Sequence, residues 1–162
     1  MMSRIRLTLA ALGVLFLGAC AQTGGFNASP LGAGDAAGDP ASFGFFQTSV
    51  GDRVLFEVDQ HTLTPQAQTI LAAQAEWMTQ NADFTAIVEG HADEQGTREY
   101  NLALGARRAN AARDFLVSRG VASARLRTVT FGKERPIEVC SDEACYSQNR
   151  RAVTVLQGAA GL

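Results

Sequence analysis

The chain has 162 residues, 46% of them hydrophobic and 19% charged, a balance that suits one folded domain with appendages and excludes general disorder. Its formal net charge is −2. Nucleic-acid binding needs many phosphate-neutralising cations, so that class of partner is excluded.

Residues 1–19 read as a leader. Arg4 and Arg6 make a basic start, and Leu7 to Leu17 is an uncharged apolar run too short to span a bilayer stably. Leu17-Gly18-Ala19-Cys20 resembles a bacterial lipobox, in which small residues admit the peptidase and the Cys20 thiol receives lipid. The alternative is an ordinary leader followed by an incidental cysteine. In that resemblance Ala21, where an Asp would signal inner-membrane retention, points to the outer membrane. Without Arg4 and Arg6 the chain keeps 12 basic against 16 acidic residues, a net charge of about −4.

Residues 20–49 read as a linker. From Ala21 to about Ser42 the composition is Gly, Ala, Asp, Asn and Ser with Pro30 and Pro40, too polar to order itself. Twenty such residues have an r.m.s. span of roughly 25 Å, enough to hold a domain off a membrane. Phe43, Phe45 and Phe46, at the end of this stretch, are expected to pack on the domain's edge.

The folded domain is expected over residues 50–157, with 158–162 a tail. Arg53 to Asp59 reads as a strand entered through a Gly51-Asp52 turn. Thr64 and Pro65 supply an N-cap and first residue for a helix to about Asn81, whose mostly apolar face includes Leu71, Trp77 and Met78. Phe84 to Glu89 is β-branched and apolar, a second strand that Gly90 is expected to break. A polar loop with His91, Asp93, Glu94 and Gly96 follows. Thr97 then caps a long helix that stops near Arg119, with Gly120 at C′ and Ala109, Ala112, Phe115 and Leu116 as buried candidates. Arg127 to Gly132 and Arg151 to Leu156 read as the last strands. The alternation predicts an α/β two-layer sandwich, with helices on one face of a four-stranded mixed sheet.

Function concentrates in Gly90 to Ala109. On the long helix Asn101, Leu104 and Arg108 share a face. Helical side chains lean toward the N-terminus, which brings Arg108 back toward the loop that carries Asp93. An acid, an arginine and a helix start together suit a zwitterionic ligand; an internal Asp93–Arg108 ion pair is the alternative. A metal or hydrolytic centre would need more than His91, Asp93 and Glu94: His61 is the other histidine, and no H-E-x-x-H spacing or activated Ser or Cys occurs. No cofactor or metal is expected, His91 reads as a satisfied histidine at a strand end, and Arg107 as a solvated helix residue. Gly105 costs the helix about 1 kcal/mol relative to Ala, so it is expected to permit close packing or ligand approach.

Asp93, Gly96, Asn101, Leu104, Gly105, Arg108 and Ala109 spell D-x-x-G-x-x-x-x-N-x-x-L-G-x-x-R-A. That pattern resembles the peptidoglycan-binding signature of OmpA-like domains. Within them, the blocks VGDRVLFEVD, LTPQAQTIL, FGKERP and NRRAV are most similar to the peptidoglycan-associated lipoproteins. The resemblance spans about Val50 to Leu156. It implies a noncovalent ligand, the meso-diaminopimelate (DAP) of a peptidoglycan stem peptide, whose side chain ends in an ammonium and a carboxylate. Asp93 suits the ammonium and Arg108 the carboxylate. Thr97 offers backbone donors at the helix start, Asn101 pins the loop or the peptide, and Asp59 matches a strand-end contact to the stem. Gly96 and Leu104 complete the set. Ala92 replaces the usual Thr or Ser before the loop acid, and Glu57 stands where relatives often have Asp, Gly or Asn.

The resemblance further implies the Tol machinery, especially TolB, as partner, and a role in envelope integrity and cell division. An OmpA-like lipoprotein outside the Tol system, or a purely protein-binding module, are the alternatives. Cys140 and Cys145, an even pair in an oxidising periplasm, read as a disulfide; a zinc half-site is the alternative. So short a loop contributes roughly 2 kcal/mol, and its reduction is expected to leave wall binding nearly intact.

Overall fold

A computed structural model describes residues 39–158 of the chain. The leader, Cys20, most of the linker and residues 159–162 lie outside the described residues. The elements are a short helix α1 (Phe43–Phe45) running into a π-helical turn (Phe46–Gly51), β1 (Arg53–Leu55), α2 (Pro65–Gln80), β2 (Thr85–His91), α3 (Arg98–Ser118), a 3-10 turn (Ser123–Arg125), β3 (Leu126–Gly132), α4 (Glu143–Asn149) and β4 (Arg151–Gln157). Among them no helix is long and apolar enough to cross a membrane.

The sheet order is β1-β4-β2-β3. β4 is antiparallel to both β1 and β2, while β2 and β3 run parallel, so the sheet is mixed. Period-2 alternation buries Ala86 and Val88 of β2 and Ala152 and Leu156 of β4 in one cluster. That cluster also takes in Leu71, Ala75 and Met78 of α2 and Ala109, Ala112 and Leu116 of α3. Both long helices therefore cover the same face. Complete burial of a side chain such as Leu71 or Met78 stabilises the fold by roughly 2 kcal/mol.

Caps fix the helix starts. Thr64 Oγ1 accepts from Ala67 N at 3.1 Å, and Thr97 Oγ1 from Tyr100 N at 3.2 Å. Gly120, at φ +101°, ends the long helix.

Four expectations are corrected. The stretch assigned to the linker's end is helical: Ser42 caps it, Phe46 is 1% exposed in the core, and its ring lies 4.9 Å from that of Trp77. Trp77 Nε1 also donates to Pro40 O at 2.7 Å. Three phenylalanines in four residues had enough apolar area to overcome the neighbouring polar composition. Gly90 does not break β2, which continues through His91 with a register shift between the two. A Cβ on Gly105 would come within 2.8 Å of Gly90 O, so both glycines serve the close packing of α3 on β2. β1 stops at Leu55 rather than Asp59: beyond it Phe56 O accepts from Arg150 Nε, and Glu57 O accepts from Arg108 Nη2 and from Gln60 N, which closes a turn. Finally, the loop before β4 contains α4.

Candidate functional site

The C-terminal end of β2, the start of α3, the turn after β1 and the α4 segment meet at one end of the sheet. Asp93 leads from β2 into the loop. Its Oδ1 accepts from Gln95 N at 3.2 Å, and its Oδ2 from Arg150 Nη1 at 3.2 Å. Gly96, at φ +87°, turns the chain where a side chain would be strained. Asn101 is 1% exposed and donates to Gln95 O at 2.7 Å, so it pins the loop. Thr97 caps α3, and Leu104 is buried. Lys133 Nζ donates to Gly96 O at 2.7 Å and Glu94 O at 3.2 Å.

Arg108 reaches back to the loop but is wholly buried. Its Nε donates to Gln60 O at 2.8 Å, Nη1 to His91 O at 2.9 Å and Nη2 to Glu57 O at 3.1 Å. It also lies 5.2 Å from the Phe56 ring centroid. Burial pulls its pKa down to about 10, against the opposing pull of the Asp93 and Asp59 carboxylates; it stays charged at neutral pH. Five N–H groups are available to a guanidinium, and three are placed on carbonyls here. Arg108 is thus first a scaffold residue, and an Asp93–Arg108 ion pair is not formed.

The turn it holds carries Asp59 at φ +55°, exposed, with Oδ1 accepting from Tyr100 OH at 3.3 Å. Glu57 contributes its carbonyl, so the residue type there is free to vary. Ala92, 2% exposed, donates its N–H to Gly132 O at 2.8 Å.

Sequence reasoning missed the partner that Asp93 does have. The Arg150 side chain is 4% exposed. It donates to Phe56 O at 3.2 Å, to Asp93, and to both oxygens of Glu143. Burial opposes its charge, but the Glu143 and Asp93 carboxylates outweigh burial and hold its pKa above the usual value. The NRRAV block contained the signal, two adjacent arginines opening a strand, yet nothing in the residue spacing links position 150 to position 93.

His91 is buried, and its ring stacks on Phe131 at 5.4 Å. It is not satisfied as expected: neither ring nitrogen has a hydrogen-bond partner, and Nε2 lies 3.5 Å from Glu89 Oε2. Burial first, then the Arg151 and Arg135 charges, lower its pKa to about 4, so the ring is neutral at neutral pH. Cys140 and Cys145 are joined in a disulfide, with Cα atoms 5.8 Å apart. Asp142 lies close to both sulfurs, which are spent on each other and not free as thiolate ligands.

The arrangement offers carboxylates at Asp59 and Asp93 beside two buried guanidiniums, chemistry for gripping a polar ligand carrying an ammonium group.

Comparison with known proteins gives a consistent picture. Residues 55–150 match the model of the OmpA family. The peptidoglycan-associated lipoprotein of Mesorhizobium japonicum is 52% identical over 160 residues, covering 98% of this chain and 95% of that protein. That of Rhizobium meliloti is 50% identical over 153 residues, covering 93% and 87%. Among solved structures, the peptidoglycan-associated lipoprotein from Burkholderia pseudomallei aligns with a TM-score of 0.68 at 37% identity, covering 74% of this chain and all of that one. The C-terminal domain of Helicobacter pylori MotB shares the fold, with a TM-score of 0.63 at 19% identity, over 67% of this chain and 86% of that one.

Proposed function

This chain belongs to the OmpA family, and from that premise we propose that it is an outer-membrane lipoprotein, lipidated at Cys20, that binds peptidoglycan noncovalently and ties the membrane to the wall. It is a binding protein and not an enzyme. The observation that carries the reading is the meeting of Asp93, Asp59 and Arg108 at one end of the sheet, in a chain so similar to lipoproteins named for peptidoglycan association.

The ligand proposed is the DAP of an uncrosslinked stem peptide. Its ammonium docks on Asp93, whose carboxylate already accepts one bond from a guanidinium and keeps lone pairs for another. Its carboxylate is held by the positive potential of Arg108 and by the two N–H groups that the three carbonyls leave it. Reaching them requires the Glu57–Gln60 turn, exposed along its length, to yield. Asp59 and Tyr100 form the rim. The finer reading places the protein in the Tol system, with TolB as a partner competing for this surface, in support of envelope integrity and cell division.

Sedimentation with purified sacculi tests it. The wild type pellets, Asp93→Asn stays largely in the supernatant, and the released muropeptides return chemically intact. A wild type that does not pellet, or muropeptides returned cleaved, overturns the reading.

A further inference from the structure

The loop closed by the Cys140–Cys145 disulfide touches the candidate site at Glu94 and at Arg150. Glu94 follows Asp93, and its Oε1 accepts two hydrogen bonds, from Ser141 Oγ at 2.9 Å and Tyr146 OH at 2.9 Å. Ser141 lies inside the disulfide ring, and Tyr146 is the first residue after it. Asp142 and Glu143 also lie in the ring. Asp142 caps α4 by accepting from Cys145 N at 3.1 Å, and Glu143 clamps the same Arg150 that holds Asp93. Ser141 of the ring thus reaches Glu94 directly, as does Tyr146 beside it, and Glu143 reaches Asp93 only through Arg150, across some fifty positions of sequence.

The ring contains Ser141 and abuts Tyr146; hydrogen bonds from such surface hydroxyls persist only where both partners are already near each other, since ordering free side chains costs entropy. Lys133 grips the main chain of the same loop and does not touch the Glu94 carboxylate.

We propose that Glu94, fixed by the disulfide-closed segment 140–146, is a positioning residue for the ligand site, and that reducing the disulfide loosens Asp93 and weakens ligand binding. This rests on the reading of the site as a DAP-peptide site. It also revises the expectation that reduction is harmless: loop length measures the chain entropy the bridge removes and is blind to what the bridged loop holds.

The test uses the full-length protein in detergent and a defined DAP muropeptide, titrated calorimetrically before and after reduction. Reduction weakens binding by about fivefold, the scale of leaving a few interface side chains unordered. Glu94→Ala weakens the oxidised protein by a similar factor, and reduction of that variant adds little, because both perturbations remove the same link. Cys140→Ser with Cys145→Ser matches the reduced wild type. Amide exchange supplies a readout independent of ligand: on reduction the Gln95 amide, bonded to Asp93 Oδ1, loses protection while that of Val88 keeps it.

Binding that is unchanged by reduction, or reduction that weakens Glu94→Ala as much as wild type, overturns the clasp. So does an unchanged Gln95 amide. An oxidised wild type that does not bind the muropeptide overturns the ligand reading instead, and the amide exchange still decides whether the clasp exists.

Discussion

Replacing Arg108 by methionine separates its scaffold role from any ligand role. Methionine keeps most of the volume and loses all five donors. The His91 carbonyl is then buried without its partner, which costs about 1–3 kcal/mol. The carbonyls of Glu57 and Gln60 sit in an exposed turn and can turn to water, so their loss is nearer about 0.5–1 kcal/mol each. The variant also recovers the desolvation cost of a buried cation, the cost that pulls the Arg108 pKa down to about 10. The balance is a destabilisation of about 2 kcal/mol.

Urea denaturation followed by the fluorescence of Trp77, the single tryptophan, measures it. With a urea slope of about 1.5 kcal/mol per molar, the midpoint falls by about 1–2 M. Lysine in place of arginine gives a similar fall, because an ammonium does not span three carbonyls in a plane. A shift below about 0.3 M would show that the three hydrogen bonds contribute nothing net, and the account of Arg108 as the residue that holds the Glu57–Gln60 turn would fail with it.

Three further outcomes are expected. A matched lysine muropeptide, lacking the DAP carboxylate, binds at least about tenfold more weakly than the DAP peptide, and Asp93→Asn weakens both together; equal wild-type affinities in calorimetry refute the assignment of Arg108. His91 makes stability fall as pH drops. Above pH 6.5 it is neutral folded and unfolded; below that the unfolded chain takes the proton first, and the folded one only near pH 4, so about 3 kcal/mol is lost across the window. His91→Phe, stacking on Phe131 in its place, removes that slope in urea titrations at stepped pH. Cys20→Ala abolishes incorporation of labelled fatty acid and releases the protein from the outer-membrane fraction; retained label would exclude Cys20 as the acceptor.

Most of the fold was legible because its signals are local. The Thr64-Pro65 and Thr97 caps, the Gly120 stop and the β-branched run after Phe84 each act within a few residues, and each places its element. Failures came where a distant partner overrode the local signal. Gly90 reads as a breaker until Gly105 arrives from the helix and uses the missing Cβ. Phe46 reads as an edge residue until Trp77 supplies the wall it packs against.

The candidate site shows the same division at the level of single arginines. Arg108 is legible as important, since its spacing from Asp93 is set by one loop and about three turns of helix. What it does is not legible, because its acceptors are main-chain carbonyls, which every residue has and no sequence distinguishes. Arg150 is harder still: its partners, Asp93 and Glu143, lie on the β2–α3 loop and on a helix that the sequence reads as loop. A carboxylate flanked by one arginine can be taken for half of a salt bridge or half of a ligand site. Here the carboxylate is paired, with Arg150 and not with Arg108. Arg150 neutralises and orients Asp93, and Arg108 is left to hold the turn that bears Asp59. Asp93 is thereby fixed below the surface by one buried cation, and Asp59 stands exposed on a turn that a second buried cation holds. The carboxylate presented outward is that of Asp59, the kind of charge that the proposed ammonium-bearing ligand requires at its entry.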